Sequence, residues 1–71
     1  MRNPDRIYKV CYELANIWSK VPDWRLGQFM TNMELVLKMS KGKDPFFIED
    51  DDYIEFMKQY FKDKDEEMKN A

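Results

Sequence analysis

The chain has 71 residues, 44% of them hydrophobic and 15% aromatic, with 12 basic against 14 acidic side chains and a net charge of −2. At this length it is one domain at most and buries only about 60% of the surface its unfolded chain exposes, so its stability is thin and a partner surface would add to it. A single cysteine excludes an internal disulfide, and the absence of histidine removes the commonest acid–base group and metal ligand near neutral pH, which lowers the case for an enzyme.

From the N-terminus, Asn3 suits an N-cap, Pro4 the first helical position and Asp5 the positive end of a helix dipole. This start leads into an amphipathic pattern, not the apolar core of a signal peptide, and no apolar run approaches the ~20 residues of a membrane span. With the lone thiol pointing to a reducing compartment, the expectation is a cytoplasmic protein with no membrane association. Ile7, Val10, Cys11, Leu14, Ile17, Trp18 and Val21 recur at three- and four-residue steps, with Tyr8, Tyr12 and Ala15 beside them, and predict a first helix over about 4–20. Cys11 lies in the middle of the stripe and reads as a core thiol, not a nucleophile.

Pro22 disfavours the helical conformation at Val21, so the first helix should end near Ser19 or Lys20, with Asp23 capping the next. A tryptophan on each side of this corner, Trp18 and Trp24, suits a turn pinned by aromatic surface. Leu26, Phe29, Met30, Met33, Val36 and Leu37 mark the apolar face of a second helix over about 24–39. Gly27 sits one turn inside it and suggests close approach of a neighbour. The opposite face carries Arg25, Gln28 and Asn32, with Thr31 at its edge, and is a candidate partner-binding surface. These side-chain types also read base edges, and two helices joined by a short corner suggest a helix-turn-helix. A solvated polar face has the same composition, however, and the acidic total disfavours phosphate binding, so nucleic acid stands as the alternative reading.

Ser40, Gly42 and Pro45 break the helical pattern; Gly42 suits a left-handed C-cap, with lysines before it at the negative helix end. Phe46, Phe47 and Ile48 follow in succession and are expected to plug the space between helices, the alternative being an exposed anchor for a partner. The acidic run Glu49, Asp50, Asp51 and Asp52 lacks the ligand spacing and glycine of a calcium loop and reads as the N-terminus of a third helix, so no metal or cofactor site is expected. Tyr53, Ile54, Met57, Tyr60 and Phe61, with Phe56 beside them, form its inner face over about 51–62. Residues 63–71 carry one apolar side chain and no periodicity, and are expected to be a frayed, charged tail to a 1–62 domain.

Charge divides unevenly along the chain. Through Lys43 there are eight basic and four acidic residues; from Asp44 onward there are four basic and ten acidic. The two halves are expected to neutralise each other within one globule.

Arg-x-Pro-x-Arg-Ile at positions 2–7, Trp18, the run Pro22-Asp23-Trp24-Arg25-Leu26-Gly27-Gln28 and the run Asp44-Pro45-Phe46-Phe47-Ile48-Glu49-Asp50 together resemble a family of short bacterial proteins of unassigned activity. More loosely, Trp18-x-x-x-Pro22-Asp23-x-x-Leu26-x-Gln28-Phe29 and Asp51-Asp52-x-Ile54 are similar to the YihD family. The resemblance implies a compact bacterial helical domain and carries over no site residues. The sequence thus leads to an all-α, three-helix domain acting as a non-enzymatic protein-interaction or assembly module. Its candidate residues are Arg25, Gln28, Asn32, Phe46 and Phe47, and its partner is another protein or a second copy of itself.

Overall fold

A computed structural model describes residues 2–69, with side chains through Lys64. Among these residues three helices follow one another: α1 (Arg6–Trp18), α2 (Leu26–Lys41) and α3 (Asp50–Lys69). None is long and apolar enough to cross a membrane. The helix count and order match the periodicity, while the boundaries move for local reasons. Asn3 caps a turn rather than the helix, its Oδ1 accepting the Asp5 N–H at 2.9 Å, so α1 begins two residues later than Pro4. At its other end α1 stops at Trp18 and hands over to turns closed by Val21 N–H donating to the Trp18 carbonyl at 2.9 Å and Trp24 N–H to that of Val21 at 3.0 Å.

The cap of α2 falls on Arg25, not Asp23. An arginine side chain has no acceptor, so the satisfied half of the cap comes from Gln28, whose Oε1 accepts the Arg25 N–H at 2.8 Å. The C-terminal signal behaves as expected: Gly42 adopts φ 63°, ψ 25° and donates its N–H to the Lys38 carbonyl, with Lys38 and Lys41 in the last turn. α3 runs past Lys62 to Lys69, where a frayed tail was expected. Side chains one turn apart support the extension, since Gln59 Nε2 donates to Asp63 Oδ1 at 2.8 Å and Lys64 Nζ sits 5.7 Å from the Tyr60 ring. The last two positions of the expected tail, Asn70 and Ala71, lie outside the described residues.

The helices pack up, down and up. Arg6 meets Asp50 and Lys58 Nζ lies 2.8 Å from Glu13, so α1 and α3 run side by side in the same direction; Arg2 Nη2 extends the seam with a 3.0 Å contact to Glu49. The basic N-terminal part and the acidic run of α3 therefore neutralise each other inside one molecule. Pairs this exposed add little stability singly, and together they set the register of α1 on α3. α2 returns antiparallel, bringing Phe29, Met33, Ile17, Ile54, Met57 and Phe61 into one buried cluster.

Several expectations about burial do not hold, Ile7 and Met30 of the predicted apolar faces among them, since both are exposed. Cys11 is exposed, because α2 and α3 cover only the Val10–Leu14–Ile17 side of α1. Leu26 is exposed at the first position of α2. A Cβ built on Gly27 meets nothing within 4 Å, so no neighbour requires the glycine. Phe46 and Phe47 are exposed instead of plugging the helices, and only Ile48 of that trio turns inward, to half-burial.

Candidate functional site

The two ends of the bundle use aromatic residues in opposite ways. At the corner end Trp18 Nε1 donates to the Trp24 carbonyl at 2.8 Å, tying the end of α1 to the start of α2. Phe29 lies 6.0 Å from the Trp18 ring and 6.4 Å from Trp24, and stacks on Phe61 at 6.3 Å with an interplanar angle of 1°. Trp24 closes the group at 6.2 Å from Phe61. The tryptophans are half-buried and the two phenylalanines buried, which makes this end a packed aromatic cluster.

The opposite end stays open. The ion pairs of Arg2 and Arg6 hold the start of α1 against the start of α3, and antiparallel α2 delivers its C-terminal turn to the same end. Exposed at that end are Phe46 (85%) and Phe47 (79%) in the connection after α2, Met39 (85%) in the last turn of α2, and Tyr8 (78%) and Ile7 in the first turn of α1. The turn presenting the phenylalanines is specified locally: Asp44 Oδ1 accepts the Phe46 N–H at 2.9 Å and the Asp44 carbonyl accepts the Phe47 N–H at 3.1 Å, with Pro45 between them. The two rings meet edge to face at 4.9 Å, so they project as one apolar knob.

The polar trio on α2 is less available than its sequence pattern suggests. Arg25 is exposed at the helix cap, Gln28 spends its carbonyl on that cap, and Asn32 is half-buried. Exposed Leu35 and Met39 follow on the same side of the helix, which makes this face mixed and not polar. Sequence reasoning missed Met39 and Tyr8 as members of the open end. Met39 falls off the main stripe of α2, and that displacement was the available signal.

Between the C-terminal half of α2 and α3 runs an open groove of about 540 Å³, floored by Val36, Leu37, Ile48, Phe56 and Tyr60, with Lys41 and Lys43 opposite Asp52, Glu55 and Asp63. Among the described residues there is no buried polar side chain and no group of three or more cysteine or acidic residues able to hold a metal ion. Three protonation equilibria are displaced. Burial, and then the charge of Glu34, raise the Tyr53 phenol above its ordinary value. Lys38 and Lys58 donate hydrogen bonds to the carboxylates of Glu34 and Glu13 respectively, which raises both ammonium groups above their ordinary value while they stay in solvent.

Compared with known proteins, the chain matches no family model, no curated sequence and no solved structure.

Proposed function

We propose that this chain is a non-enzymatic protein-interaction module of the bacterial cytoplasm that docks a protein partner through Phe46 and Phe47. The observation that supports the reading is an exposed diphenylalanine knob held by a turn its own aspartate closes. Burying each ring contributes about 1.5–3 kcal/mol, and a preformed turn spares the cost of ordering a loop on binding. Such large, central apolar anchors carry most of the affinity in protein interfaces. Mixed charges flank the knob, with Lys41, Lys43 and Asp44 before it in the chain and Glu49 after it, which suits a polar rim better than an anionic lipid surface. The nucleic-acid alternative draws less support, since carboxylates engage Arg2, Arg6, Lys38 and Lys58 and Gln28 caps its own helix.

The test is a comparative pull-down from native cell extract with the wild-type chain and the F46S/F47S variant. One or more proteins retained by the wild type and lost from the variant, at an unchanged melting temperature, is the expected result. Identical retention by both chains overturns the reading.

A further inference from the structure

The connection between α2 and α3 is pinned on both sides of the Phe46 and Phe47 knob. Gly42 turns the chain out of α2 in the left-handed conformation, and the turn closed by Asp44 aims the two rings outward. Beyond the knob only Ile48 precedes Glu49 and Asp50, and both of these are held from α1. Glu49 accepts the Tyr53 N–H on its carbonyl at 3.0 Å, while Arg2 Nη2 lies 3.0 Å from each of its carboxylate oxygens. Asp50, the first residue of α3, pairs with Arg6.

The N-terminal arm is shaped to make these contacts. Asn3 accepts the Asp5 N–H on its side chain at 2.9 Å and the Arg6 N–H on its carbonyl at 3.2 Å, with φ fixed at Pro4 between them. This turn sets Arg2 and Arg6 on two successive acids. Glu49 lines both the hollow beside Arg2 and Arg6 and the hollow beside Phe47, so one side chain joins the arm to the knob.

We infer that Arg2 and Arg6 are positioning residues for the knob, forming an electrostatic strap that keeps Phe46 and Phe47 rigid and releases them as ionic strength rises. The docking role of the knob is the reading on which this regulation rests. Holding α1 against α3 does not by itself call for pairs at this place. Glu13 and Lys58 join the same two helices, with Lys58 eight residues past Asp50, about 12 Å farther along α3. Exposed pairs of this kind are individually weak and are screened by salt, which makes the strap releasable while the packed core stays intact. A knob held rigid loses little freedom on binding; a released one loses more.

Nitrogen-15 relaxation of the Phe46 and Phe47 amides reads the strap without any partner. In low salt the wild-type order parameters should lie near about 0.85, and in R2Q/R6Q they should fall below about 0.6. Salt at ~1 M, where the screening length is ~3 Å, should loosen the wild-type knob in the same way and leave R2Q/R6Q unchanged. Rescue separates position from mere presence of the arm: R2K/R6K, which keeps both charges, stays rigid, and R2E/E49R recovers what R2E alone loses. K58Q, which removes a pair between the same helices away from the knob, also stays rigid. In the pull-down, proteins lost by F46S/F47S should be held roughly tenfold more weakly by R2Q/R6Q, which retains both rings. A rigid knob in R2Q/R6Q, equal loosening in K58Q, or loosening with undiminished retention each overturns the assignment. Equal retention by the wild type and F46S/F47S overturns the docking reading instead, and the relaxation result then still decides whether the strap exists.

Discussion

Trp18, Trp24, Phe29 and Phe61 at one end of the bundle and Tyr8, Phe46 and Phe47 at the other are chemically alike, yet the first set is packed and the second faces water. The difference lies in what stands opposite each ring. At the corner end all three helices converge, so each aromatic residue finds another across the interface. At the open end the chain spends its inward position on Ile48, and a turn closed by Asp44 aims the phenylalanines away from the bundle. Aromatic content alone therefore carries no information about burial.

The comparison is sharpest under truncation. Phe29→Ala removes the centre of the closed cluster and should cost about 3–5 kcal/mol, most or all of the stability of so small a domain, read from urea denaturation followed by circular dichroism. Gly42→Ala, which forces a Cβ into the left-handed conformation that lets the chain leave α2 for the open end, should cost about 1–2 kcal/mol in the same assay. Trp18→Phe keeps most of the ring but leaves the Trp24 carbonyl without its donor, and a loss of about 1 kcal/mol is expected.

Alkaline pH probes the packing between these ends. The Tyr53 phenol is held above its ordinary value of 10.0, so the folded state grips that proton more tightly than the unfolded one. The stability this contributes is complete below pH 10 and is lost as pH rises through the folded value; Lys38 and Lys58, raised from 10.5, act in the same direction. Urea midpoints should thus fall above pH 10, and Tyr53→Phe should flatten the fall. An unchanged slope in that variant would assign the loss to other groups.

Smaller effects mark positions where nothing is packed. Gly27→Ala should raise stability by about 0.4–1 kcal/mol, because helix propensity improves and the added methyl meets open space. Phe46→Ala should change stability by less than about 0.5 kcal/mol, against several for the same chemical change at Phe29. A large loss at Phe46 would show that the open end is structural and remove the ground for its role as a docking knob.

Much of this architecture is local and therefore readable from residue order. The corner at Pro22, the left-handed stop at Gly42, the acidic start of α3 and the three helical periods all act within a turn or two of chain, where steric and hydrogen-bonding preferences decide. The shifts in boundary are of the same kind: Asn3 closes a turn and Gln28 supplies a cap, each a short-range alternative to the assignment made from composition. Of the candidate residues, Phe46 and Phe47 were legible as apolar excess in a connection, but not as exposed.

What order along the chain could not decide is which part of a broad apolar arc faces a neighbour. Cys11, Ile17 and Tyr12 look alike in periodicity, and only the direction from which α2 and α3 approach α1 buries Ile17 and leaves the other two in water. That direction depends on contacts between residues far apart in sequence, such as Arg6 with Asp50, Glu13 with Lys58 and Phe29 with Phe61. The sequence by itself determined three helices and their ends, because those are fixed by neighbours along the chain. Tertiary structure alone decided which apolar surface was left over, because burial is a property of what lies across the interface.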